Sequence, residues 1–170
     1  MISDDPISPQ DALEQFSTAN PYAGAIVSFS GKVRIDKHSG DETQALLLQA
    51  YEPVTRTAIE DKRQESLKRW ALDDAFIAHR TGEILPGETI VFVATAAKHR
   101  RDAFLAADFL MDYLKTEAFF WKKEIGQKRS KWIEPKASDY DDAKRWKKKD
   151  ILFFPALRIV IIRRFRLDPF

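Results

Sequence analysis

The residues best suited to chemistry lie between His99 and Glu124, in the stretch HRRDAFLAADFLMDYLKTEAFFWKKE. Two lysines, Lys115 and Lys122, bracket the corner between an apolar helical pattern and an aromatic run. A lysine set beside apolar surface and among other cations has its ammonium form disfavoured, and the neutral amine that results serves as a base or a nucleophile. Lys115 follows Met111 by one helical turn and so sits at the edge of the apolar stripe Ala103, Ala107, Leu110, Met111 and Leu114. Lys122 is wedged between Trp121 and Lys123, while His99, Arg100 and Arg101 open the same helix. Further back, Lys32 and Arg34 alternate at the end of an apolar segment. Solvated charges around a core helix are the plain reading of such a pattern. Several cations crowded against apolar surface favour a pocket for an anion instead.

Composition narrows the chemistry. The chain has 170 residues, enough for one domain with a real core. It contains no cysteine, which excludes disulfides, thiolate catalysis and zinc–thiolate sites. His38, His79 and His99 are too scattered to make a metal-ligand pattern, and His79 reads as a strand residue with an ordinary hydrogen bond. The opening MISDDPISPQ is acidic and polar, unlike a secretory signal, and no apolar run is long enough to span a membrane. A cytoplasmic location is therefore the expectation. The net charge of +2 is uneven. Residues 147–170 carry seven basic and two acidic side chains, which leaves 21 basic and 24 acidic in the rest of the chain. The body is slightly acidic, so a basic total argues only weakly for a nucleic-acid partner.

The elements that must position these residues follow from local signals. Ser8 as N-cap, Pro9 at the first helical position and Asp11 in the first turn predict a helix to about Thr18, which Asn20-Pro21 ends. Residues 23–33 read as a strand with a bulge or close approach at Gly31. The polar segment 35–42 is expected to be a mobile connection, and residues 43–51 a second strand. A long helix from Glu52-Pro53 to about Trp70 has a sparse apolar face. Residues 76–80 and 89–96 are strands, with turn chemistry between them from Gly82 and Pro86-Gly87. The central helix spans about 101–116. A hairpin pairs 119–125 with 131–134, and Ser138 caps a last helix ending near Trp146. The pattern predicts one α+β domain with a largely antiparallel sheet covered by helices.

With these segments in view, the chain resembles the large, catalytic subunit of molybdopterin synthase. The segments that carry the resemblance are GAIVSFSGKVR at 24–34, HRTGEILPGETIVFVATAAKHR at 79–100, FLMDYLKTEAFFWKKE at 109–124 and the closing AKRW at 143–146. The likeness runs over roughly residues 5–146. It makes 1–146 the family domain, of α/β-hammerhead type, and 147–170 a basic, apolar C-terminal extension.

The resemblance implies an activity. Such proteins convert cyclic pyranopterin monophosphate to molybdopterin, taking sulfur from the thiocarboxylated C-terminus of a small ubiquitin-like subunit. They form a heterotetramer built on a homodimer. By resemblance the catalytic lysine falls on Lys115 and a second active-site lysine on Lys122. Substrate-binding positions fall on Arg34, on His99 and Arg100 (which complete the neighbouring protomer's pocket) and on Lys136, where the family usually has arginine. No cofactor is expected, since the donor protein brings the sulfur. The residue chemistry agrees: Arg34, His99, Arg100 and Lys136 suit a phosphate, and the anionic thiocarboxylate is drawn to the same place. Lys115 is the expected base or nucleophile, Lys122 the stabiliser of developing negative charge, and Met111 and Phe29 candidates for the apolar wall. The rival from another class is a non-enzymatic anion or nucleic-acid binding domain, in which Phe119, Phe120, Trp121 and Trp132 would stack on bases. The acidic body argues against it. The extension holds an apolar run at 151–162 broken by Pro155 and Arg158, too short to cross a bilayer and expected to pack on the body or on a partner.

Overall fold

The computed structural model describes residues 1–34 and 42–147. The expectations for the 35–42 connection, save its last residue, and for the C-terminal extension beyond 147 lie outside the described residues. Four helices and eight strands alternate: β1 (Ile2–Ser3), α1 (Pro9–Ala19), β2 (Ala25–Lys32), β3 (Thr43–Ala50), α2 (Val54–Arg69), β4 (Asp74–Arg80), β5 (Gly82–Ile84), β6 (Thr89–Ala97), α3 (Arg100–Thr116), β7 (Phe120–Gly126), β8 (Ser130–Ile133) and α4 (Ala137–Lys147). The strands form two four-stranded sheets, in the orders β1-β4-β6-β2 and β5-β3-β7-β8. Every pairing is antiparallel except that of β1 with β4. The α+β class is thus as the sequence predicts.

The first sheet is the scaffold. β6 is buried along nearly its whole length because it lies between β4 and β2 with helices on both faces. Its Val91 and Val93 meet Phe109, Leu110, Tyr113 and Leu114 of α3, while Phe92, Ala94 and Ala96 meet Phe16 of α1 on the other face. Leu110 and Val93 are wholly buried, and each such side chain removed from water contributes about 1.5–3 kcal/mol. α1 starts as its sequence dictates, with the Ser8 hydroxyl accepting from the Asp11 amide. The expected irregularity at Gly31 is a register shift against β6 between Gly31 and Lys32. Gly24 is required by a close approach: a Cβ there would lie 2.3 Å from the Lys98 carbonyl oxygen. The start of β2 is thereby held against the turn into α3.

Three features differ from the sequence reading. β1, two residues long, was not foreseen, being too short for any periodicity. Residues 82–84 were expected to be part of a turn, but they form β5, which pairs with Leu46–Leu48 of β3. Gly82, at φ +77°, is the pivot that passes the chain from the first sheet to the second. Ser138 does not cap the last helix. α4 begins one residue earlier, and the side chain that reaches back to a free amide is that of Asp139, which accepts from the Lys136 N–H at 2.8 Å.

α2 also holds the second sheet through a polar contact. The buried Thr55 hydroxyl donates to the Phe119 carbonyl at 2.9 Å, just where β7 starts. That bond fixes the strand that carries Lys122. Among the described residues, no helix is long and apolar enough to cross a membrane.

Candidate active site

Strand alternation and register assemble the floor of the site. In the second sheet Lys122 lies opposite Leu48 on one side and Ile133 on the other, and Glu124 lies opposite Leu46 and Lys131. Residues two apart on a strand share a face, so these two rungs stand side by side on the sheet's inner face. The end of β2 with Val33 and Arg34, and the last turn of α3 with Lys115, form the walls of a cavity of about 640 Å³. This is the size of a small-molecule site. Leu46, Ile90 and Ile133 supply apolar surface.

The lining carries six cations, Lys32, Arg34, Lys115, Lys122, Lys131 and Lys136, against one carboxylate, Glu124. That carboxylate is already engaged: it accepts from the Thr43 hydroxyl at 2.5 Å and pairs with Lys131 at 2.9 Å. The cavity therefore presents a strong positive potential to an entering anion. Among the described residues, no group of three or more His, Asp or Glu side chains is arranged to hold a metal ion.

The two lysines named from the sequence face the same cavity but differ in environment. Lys115 is 55% exposed, at the C-terminal end of α3, where the helix dipole favours a cation, and its ammonium lies 3.3 Å from Asp139 Oδ1. Lys122 is half-buried. Burial pushes its pKa below the ordinary lysine value, the Lys115 ammonium lowers it further, and Asp139 opposes them in part. From the sequence, the neutral-amine role is expected of Lys115. Burial in the folded chain favours Lys122 for that role, because Lys122 points from a sheet interior while Lys115 ends a helix in solvent.

Beneath Lys122 lies a neutral floor. The imidazole of His79 stacks on Phe120, with centroids 4.0 Å apart, and its Nδ1–H donates to the Arg80 carbonyl at 2.9 Å. Burial, opposed by that hydrogen bond and reinforced by Lys122, lowers the His79 pKa to about 4. The ordinary strand role expected for His79 stands.

Of the remaining sequence candidates, Arg34 and Lys136 line the cavity. His99 and Arg100 do not. They are exposed at the opposite end of α3, and 15 residues of helix separate Arg100 from Lys115 by about 22 Å. Met111 packs against the main core, and Phe29 is 43% exposed on β2; neither lines the cavity. The apolar wall assigned to them is made by Leu46, Ile90 and Ile133 instead. Lys131 and Asp139 were missed. The hairpin register that places Lys131 opposite Glu124 could have signalled the first.

The whole chain can be compared with known proteins. The family model described as MoaE protein matches residues 2–117. The molybdopterin synthase catalytic subunit of Caulobacter vibrioides is 47% identical over 145 residues, covering 85% of this chain and 95% of that protein. Among solved structures, the molybdopterin biosynthesis MoaE protein from Burkholderia ambifaria superposes with a TM-score of 0.72 at 38% identity, over 86% of this chain and 95% of the other. Molybdopterin synthase from Staphylococcus aureus gives a TM-score of 0.70 at 31% identity, over 78% of this chain and 94% of the other. On the strength of the family match and of relatives this similar over nearly their whole length, the chain belongs to the MoaE protein family.

Proposed function

We propose that this chain is the catalytic subunit of a cytoplasmic molybdopterin synthase, converting cyclic pyranopterin monophosphate to molybdopterin with sulfur from the thiocarboxylated C-terminus of a small ubiquitin-like subunit. The observation that carries this reading is the cation-lined cavity with the half-buried Lys122 at its floor. Both reactants are anions, and a single basic cavity of this volume can gather them. Arg34 and Lys136 hold the substrate phosphate; Arg34 can do so through two parallel N–H donors, whereas Lys136 acts as a point charge. Lys122, its ammonium disfavoured by burial, is the general base at the floor of the cavity. Lys115, ion-paired to Asp139 and near solvent, stabilises the negative charge that develops at the reacting carbonyl. The sulfur comes with the donor protein, so the reaction is assigned to side chains of this chain and its partners alone.

The assembly proposed is a homodimer of this chain within a heterotetramer. Its support is the position of His99 and Arg100, too far along α3 to serve their own cavity. β2 is the outer strand of its sheet among the described residues, with Ser28, Phe29 and Ser30 exposed. A second copy pairing antiparallel about Phe29 would set Gly24 opposite Arg34 of the other copy. Gly24 packs on Lys98, so His99 and Arg100 would arrive at that copy's cavity. Residues 1–146 form the catalytic domain, and the extension is dispensable for chemistry. The test is reconstitution: the full chain, a thiocarboxylated small subunit and cyclic pyranopterin monophosphate should yield a dithiolene product. Binding of both reactants without product would overturn the catalytic assignment.

A further inference from the structure

We propose that Asp139 is the positioning residue for Lys115, with one carboxylate oxygen capping α4 and the other holding the Lys115 ammonium beside Lys122. The proposal rests on the sulfur-transfer reading above and assigns a role to a residue outside the cation set. Lys115 ends in a flexible four-carbon stem that is more than half exposed, so nothing in its own helix fixes where the ammonium sits. Asp139 does. Its side chain is only 15% exposed, Oδ1 lies 3.3 Å from Lys115 Nζ, and Oδ2 accepts from the Lys136 backbone N–H at 2.8 Å. A carboxylate anchored by a backbone amide at a helix start has few orientations left, so its free oxygen is a fixed point.

α4 is itself pinned to α3. At its far end the Arg145 guanidinium donates to Asp112 at 2.7 Å and lies 2.8 Å from Asp108, and the Trp146 indole N–H donates to Asp112 at 2.6 Å. Asp108 and Asp112 precede Lys115 on α3 by two turns and one turn. The clamp that sets α4 against α3 therefore also sets Asp139 against Lys115. Beyond this pair, the other charged or titratable groups around Lys122 are Glu124 on its own strand, Lys131 on β8, His79 on β4, and Lys32, Arg34 and Lys136 at the cavity walls. Glu124 is held by Thr43 and Lys131, and Asp139 is the carboxylate paired with the Lys115 ammonium among the ion pairs of the described residues.

Asp139→Asn separates the two tasks, because the amide oxygen can still accept from the Lys136 N–H while the negative charge that holds the Lys115 ammonium is lost. The full chain with its thiocarboxylated small subunit should keep its melting temperature and its KM for the pterin, and lose kcat by on the order of 10-fold or more through misplacement of Lys115. Asp139→Glu should recover part of that loss. Independently of turnover, the Lys122 titration, followed by NMR of ¹³C-methylated lysines, should move to lower pH in Asp139→Asn, since a negative neighbour is removed. An Asp139→Asn protein with wild-type kcat and an unmoved Lys122 titration would overturn the proposal and leave Asp139 a helix cap alone. If wild type itself forms no dithiolene, the function above fails, and the lysine titration still decides whether Asp139 acts on this pair.

Discussion

Replacing His79 by Phe should remove a specific part of the protein's acid sensitivity. The imidazole is buried against Phe120, and its pKa falls from 6.5 to about 4, with burial as the main cause. The folded state thus refuses a proton that the unfolded chain takes up freely. Stability from this group is complete above pH 6.5 and is lost as pH falls towards 4. A drop of that size corresponds to about 3 kcal/mol over the interval, approached at up to about 1.4 kcal/mol per pH unit. Glu60, with its pKa lowered to about 2 chiefly by a hydrogen bond from Arg63, loses its contribution only below pH 4.5, so the two windows separate. Phe keeps a ring on Phe120 but gives up the bond to the Arg80 carbonyl, which costs about 1 kcal/mol at every pH. Urea unfolding of wild type and His79→Phe at pH 7, 6, 5 and 4.5 should therefore show wild type the more stable at pH 7, the two stabilities crossing between pH 6 and 5, and His79→Phe the more stable at pH 4.5. Curves that stay parallel from pH 7 to 4.5 would refute the claim that a neutral, buried imidazole lies under Lys122.

Other expectations concern the site and its assembly. Lys122→Met should cut turnover about 100-fold or more and remove the limb of the pH–rate profile that rises through the lowered Lys122 pKa, as read in steady-state assays. The same variant should be more stable than wild type at pH 7 in urea melts, because a lysine whose folded pKa is depressed is destabilising until the pH exceeds its unfolded value. Mixing inactive Lys115→Ala with inactive Arg100→Ala should restore partial dithiolene formation, since each hybrid dimer has one site with both native residues; no recovery after verified subunit exchange would exclude the shared site. Truncation after Trp146 should leave the rate per site unchanged while altering solubility or dimer stability, measured by light scattering and thermal melts.

The helices were the most legible part of the chain, because their signals are local. Ser8, Pro9 and Asp11 state the start of α1, and the spacing from Ala103 to Leu114 states the buried face of α3. β5 was hidden: three residues around a glycine carry no period, and only the partner strand β3 makes them a strand. Ser138 misled because an N-cap rule compares side chains one at a time, whereas Asp139 offers its carboxylate to the Lys136 amide and to Lys115 together. The two central lysines and Arg34 were visible from their neighbours. Which lysine is buried was not, since burial of Lys122 depends on β3 and β8 flanking it on either side. Met111 and Phe29 were candidates by type alone, and the fold turns one into the core and the other outward.

The central claim is that sulfur transfer takes place in the cation-lined cavity between the second sheet and the end of α3. It is tested most directly by single-turnover dithiolene formation with Lys115→Ala, in the full chain saturated with thiocarboxylated small subunit. Lys115 is more than half exposed, so its truncation should leave folding and partner binding intact. The account predicts that product formation is nearly abolished under those conditions. Near-normal turnover by Lys115→Ala would contradict it.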